Sequence, residues 1–77
     1  MMEKSIFTFH TISQVLKFEK LLKKNKIEVQ LRPVPRKISS SCGNCAYVNS
    51  EDVEIIKNLS RENKIEFENI YREEDIK

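Results

Sequence analysis

The period of apolar positions changes several times along the chain, and each change predicts an element. Residues 4–10 hold β-branched and aromatic side chains, Ile6, Phe7, Thr8 and Phe9, that suit a pleated strand. Alternation puts Phe7 and Phe9 on the buried face and leaves Ile6, Thr8 and His10 on the other. Val15, Phe18, Leu21 and Leu22 then recur at helical spacing as far as Lys24, with Lys17, Lys20, Lys23 and Lys24 on the wet face. Thr11 and Gln14 have the spacing of a capping box, Ser13 is a competing cap, and Asn25 is a reasonable stop.

Strict alternation returns at residues 27–32, where Ile27, Val29 and Leu31 interleave with Glu28, Gln30 and Arg32. This predicts a strand with one buried face, ended by Pro33 and Pro35, which cannot donate to a ladder. A short third strand is expected at residues 46–49, starting as early as Gly43. Ala46 and Val48 should point inward, Cys45 and Tyr47 outward. Asn49 or Ser50 caps a second helix that runs to about Asn63, with Val53, Ile56 and Leu59 as its stripe and Ile55 beside it. Residues 65–71 read as a fourth strand. No internal repeat stands out.

The order β-α-β-β-α-β predicts an α+β, ferredoxin-like domain over residues 4–71, with residues 72–77 as a charged, solvated C-terminal tail. Right-handed crossovers give a four-stranded antiparallel sheet of order 4-1-3-2 with both helices on one face. That topology brings the end of strand 1, the start of helix 1, the end of strand 2 and the start of strand 3 to one edge. His10, Arg32 and Cys42 should meet there.

The 77 residues allow one domain and a thin core. A deep pocket with a full catalytic set does not fit, so a surface site that handles one small group is expected. The net charge of +2 comes from interspersed signs, and no tryptophan or aromatic–basic alternation supports stacking on bases, so no nucleic-acid partner is expected. No apolar run reaches membrane-spanning length, and Glu3 and Lys4 interrupt any leader-like start, so a cytoplasmic protein is expected. The short, charged edge strands weigh mildly against edge-to-edge pairing and leave a homodimer open.

Candidate chemistry gathers in residues 33–45. This stretch holds both prolines, the single glycine, both cysteines and three consecutive serines. A cysteine acts as its thiolate, which nearby cations or helix-start amides stabilise. Arg32, Arg36 and Lys37 are candidates for that role at Cys42. Ser39, Ser40 and Ser41 offer donors to a thiolate or bound anion. The plain alternative is a turn with an ordinary thiol. Cys42 and Cys45 form a C-x-x-C that leaves three readings open. A thioredoxin-like dithiol should precede a helix, whereas here a strand follows. A closed zinc site wants four ligands, and His10 brings the total to three, so neither metal nor cofactor is expected. A local disulfide needs Gly43 and Asn44 to turn, because residues three apart in a strand are separated by about 10 Å. His10, the single histidine, could take the Cys42 proton or simply end a strand.

These residues also carry a resemblance. The run Arg32-Pro33-Val34-Pro35-Arg36-Lys37-Ile38-Ser39-Ser40-Ser41-Cys42-Gly43 resembles the signature of a family of small bacterial selenium/sulfur carrier-like proteins of unknown function. Thr8-Phe9 and the helix with Glu19, Leu21 and Leu22 extend it over nearly the whole chain. The resemblance implies a persulfide or selenopersulfide on Cys42, with a cysteine desulfurase or a selenium-metabolism protein as partner. Arg36, the serines and Gly43 match by position. Asn44 and Cys45 depart from the family, which has small or apolar residues after the glycine, and His10 stands where proline is frequent. Cys45 is therefore an elaboration, able to resolve a loaded Cys42 as a disulfide. Two other expectations stand beside the carrier. One is an interaction or regulatory module that uses an open sheet face bearing Thr8, His10, Gln30, Cys45 and Tyr47. The other is a redox switch built on the two cysteines.

Overall fold

The structure, a computed structural model, describes residues 3–38 and 42–76. Strand β1 (Lys4–Thr8) leads into helix α1 (Ile12–Lys24), followed by β2 (Val29–Pro33), β3 (Asn44–Asn49), α2 (Val53–Glu62) and β4 (Asn69–Arg72). The sheet is antiparallel throughout, in the order β2-β3-β1-β4, which is the expected 4-1-3-2. Among the described residues no helix is long and apolar enough to cross a membrane.

Both helices lie on one face because their stripes feed one cluster. Val15, Phe18 and Leu22 of α1 and Ile56 of α2 meet Phe7, Ala46 and Val48 of the sheet there, together with Phe9. Phe18 is the hub, with its ring centroid 5.0 Å from that of Phe7 and 4.9 Å from that of Phe9. The N-terminus of α1 is capped as expected, by Thr11 Oγ1 accepting from the Gln14 amide at 3.3 Å. The reciprocal half of the box is absent, since the buried Gln14 Oε1 has no partner among the described residues.

The helix ends share one solution. Asn25 and Asn63 are the C-caps, and Lys26 and Lys64 follow with φ of 59° and 56°. The next amides then reach back into the helix, Ile27 to the Leu22 carbonyl at 2.8 Å and Ile65 to the Ser60 carbonyl at 2.9 Å. This is a Schellman closure with lysine in the position glycine usually takes. It also moves the fourth strand. Ile65 is consumed by the closure and buried in the core, so pairing starts at Asn69 and runs to Arg72, not over 65–71.

Four further expectations are corrected. β1 stops at Thr8, because the Phe9 position already begins the approach to the α1 cap. β2 starts at Val29 and includes Pro33, an edge-strand place that tolerates proline. α2 is preceded by a 3-10 turn, Ser50–Asp52, and takes no side-chain cap. The Ser50 hydroxyl pairs instead with the Ser5 hydroxyl at 2.7 Å. The stretch after β4 is not a free solvated tail, since Glu73–Ile76 forms a 3-10 turn and Ile76 packs inward.

Ile76 packs against the face expected to be open. Ile6, Cys45 and Tyr47 form a second cluster there with Ile38, and Val34 and Tyr71 pack around them. Thr8 and Cys45 are fully buried and Tyr47 nearly so. Of the interaction face drawn from the sequence, Thr8, Cys45 and Tyr47 are therefore covered, while His10 and Gln30 stay exposed. Alternation assigned these side chains to the correct side of the sheet. What it lacked was the loop and C-terminal turn that fold across them.

Candidate functional site

The candidate site is the long loop of the β2–β3 hairpin. Pairing ends at Pro33 and Asn44, and the Val34 amide then donates to the Gly43 carbonyl at 3.1 Å. The Ile38 amide donates to the Pro35 carbonyl at 3.0 Å, a tight turn whose corner residues, Arg36 and Lys37, are exposed. Ile38 itself is only 6% exposed and anchors this arm in the second cluster. Ser39, Ser40 and Ser41 lie outside the described residues. On the return arm Cys42 packs against the helix-side cluster. Ile38 and Cys42 thus pack against different apolar clusters.

The two thiols have different surroundings. Cys45 is 0% exposed, and its Sγ donates to the Arg32 carbonyl at 3.5 Å, with the Pro33 carbonyl at 3.8 Å. Burial pushes its thiol up to about 11, reinforced by the neighbouring Cys42 and partly opposed by Arg32. Cys42 is half-buried, and its Sγ donates to the Asn44 carbonyl at 3.1 Å. No disulfide joins them. Gly43 between them takes a φ of +75°, and a Cβ built there would meet nothing among the described residues within 4 Å. Conformation, not crowding, is what calls for glycine at this position.

The strand ends do share an edge, as the topology requires, because Thr8 pairs with both Cys45 and Asn69, and Arg32 pairs with Cys45. Arg32 lies over the Tyr47 ring, 5.1 Å from its centroid, on the loop-covered face. His10 is exposed, with Nδ1 3.4 Å from Glu68 Oε2.

Glu68 is the residue that sequence reasoning missed. Its amide also donates to the Thr8 carbonyl, which ties it to the end of β1. A correct start for β4 at Asn69 would have found it, because the residue before a strand paired at Thr8 must lie beside Phe9. Among the described residues no three His, Cys, Asp or Glu side chains come together as metal ligands.

A family model described as "Putative Se/S carrier protein-like" matches residues 4–72. No curated protein and no solved structure matches the chain.

Proposed function

The chain belongs to the Se/S carrier protein-like family, and from that premise we propose that it carries a sulfur or selenium atom on Cys42, as a persulfide or selenopersulfide. The observation that carries this reading is the contrast between the two thiols. Cys45 is sealed and held protonated by burial, whereas Cys42 is partly open to solvent. Of the two, Cys42 is the one a partner can reach.

Loading is a thiol exchange. The Cys42 thiolate attacks the terminal sulfur of a donor persulfide, the donor S–S bond breaks, and the donor leaves as its thiolate. The terminal sulfur ends on Cys42 with its proton, and no external oxidant or reductant is consumed. Delivery is the same step with an acceptor nucleophile in place of Cys42. Arg36 and Lys37, exposed at the loop corner, supply positive charge to the anionic persulfide. Ser39, Ser40 and Ser41 would add donors. The donor is a protein of the cysteine desulfurase or selenium-metabolism class, met in the cytoplasm where thiols stay reduced. The scaffold we read as ferredoxin-like serves to hold the loop, and the protein is an accessory carrier with no reaction of its own. Cys45 has no part in this cycle, because it packs in the second cluster while Cys42 packs against the first.

The test is intact-mass analysis after incubation with a desulfurase and free cysteine. A single sulfur increment is expected on the wild type and on Cys45→Ser, and none on Cys42→Ser. No increment on the wild type, or the same increment on Cys42→Ser, rejects the reading.

A further inference from the structure

We propose that the flank between α2 and the segment leading into β4 is a binding site for a small organic anion with an apolar body, independent of the chemistry at Cys42. A cavity of about 670 Å³ opens there, within the range of small-molecule pockets. Its apolar lining comes from Ile65 and Phe67, both held in the helix-side core, Phe67 edge-on to Phe7 at 5.0 Å between centroids. Its cations are Lys57 and Arg61, one turn apart on α2, and Lys64 just past the helix end. A single carboxylate, Glu66, shares the lining with these three.

Two observations make this more than a solvated charge run. Neither Arg61 nor Lys64 has a carboxylate in ion-pair range among the described residues, and Lys57 has only Glu54 at 4.0 Å. Surface cations on this chain that lie near acids do pair, as Lys4 with Glu28 and Lys23 with Glu19 do. The second observation is Ser60. It lines the same cavity, is 1% exposed, and its Oγ has no hydrogen-bond partner among the described residues. A buried hydroxyl without a partner is uncommon. Rotation about χ1 would let it donate to an acceptor held in the cavity. Positive charge at the rim, an apolar interior and an unused donor fit one ligand class. Its ring or branched chain would lie on Ile65 and Phe67, and its carboxylate or sulfonate would lie between the cations.

The experiment uses two probes with nearly the same aromatic body, 8-anilinonaphthalene-1-sulfonate and the uncharged N-phenyl-1-naphthylamine. Amide chemical shifts of the full chain are followed as each is added. The sulfonate should saturate, with shifts confined to residues 57–67. The variant Lys57→Gln/Arg61→Gln/Lys64→Asn should bind the sulfonate about tenfold more weakly and the neutral probe within about twofold of wild type. All three positions lie at the surface, and asparagine tolerates the positive φ at 64, so the amide spectrum of the variant should keep its dispersion. Shifts spread over the molecule or centred elsewhere overturn the proposal, as does a variant that loses both probes alike or neither.

Discussion

Cys42 and Cys45 stand three positions apart and pack on opposite faces of one sheet. Cys45 lies with Ile6, Ile38 and Tyr47, and Cys42 lies against the cluster that α1 and α2 cover. A bridge between them would have to draw together two thiols that pack in different clusters. The C-x-x-C spacing, read alone, suggests a dithiol. The packing assigns the two thiols to different apolar clusters.

Alkylation should therefore be strongly selective. In native protein at pH 8, iodoacetamide is expected to modify Cys42 first and leave Cys45 nearly untouched. With its pKa near 11, Cys45 holds only about one thiolate in a thousand at that pH. Its labelling should rise about tenfold per pH unit towards 11. The sign for stability follows. Burial favours the neutral thiol, so its contribution is complete below the ordinary thiol range and is lost as pH rises through the raised value. Peptide mass mapping at graded pH checks this, and equal labelling of both cysteines at pH 8 would contradict it.

Ile38 should be the pin of the motif loop. It is the one residue of the Pro35 turn fixed in the second cluster, where it covers Cys45. Ile38→Ala should cost about 2 kcal/mol by urea unfolding, at the low end for a buried isoleucine because the cluster is small. It should also speed Cys45 alkylation more than it speeds that of Cys42. Unchanged protection of Cys45 would mean that Val34, Tyr71 and Ile76 cover that face without it.

The sequence was informative where one residue's neighbours decide its place. The α1 stripe, the Thr11 cap and the alternation of β2 depend on spacing within a dozen residues, and the order of the sheet follows from the element order and crossover handedness. Burial of the second face depends on Ile38 and Ile76 meeting Ile6 and Tyr47 across the fold, and no local period encodes that. The fourth strand misled for a different reason. Ile65, Glu66 and Phe67 alternate like a strand, yet Lys64 has already turned the chain with a positive φ. At the site, Cys42 and the loop cations were evident from composition. Glu68 was hidden behind the misplaced strand.

The shared helix ending makes a separate prediction. Asn25-Lys26-Ile27 and Asn63-Lys64-Ile65 are the same three residues in the same conformation, a short repeat that hydrophobic periodicity does not reveal. A lysine in left-handed conformation costs about 1–2 kcal/mol, which exceeds the roughly 0.5–1 kcal/mol of extra chain entropy that glycine loses on folding. Lys26→Gly and Lys64→Gly should each stabilise the fold by about 0.5–1 kcal/mol and add in the double variant, because the sites end different helices. Thermal unfolding at fixed pH tests this, and destabilisation by either change would place the side-chain contacts of that lysine above its backbone strain.

Gly43 permits a sharper test, because two explanations for a glycine make opposite forecasts there. If close approach of another group required it, any side chain would clash, and a larger one would clash more. If the φ of +75° requires it, the penalty follows backbone preference and not size, since nothing among the described residues lies within 4 Å of the Cβ position. Gly43→Ala should then cost about 1 kcal/mol, the left-handed penalty less the gain from a stiffer unfolded chain. Gly43→Asn, though larger, should cost less than Gly43→Ala, because asparagine enters this region readily. Chemical denaturation of the two variants gives the order. An asparagine variant less stable than the alanine one would show that the space over Gly43 is occupied in solution, by the motif loop itself or by a second molecule.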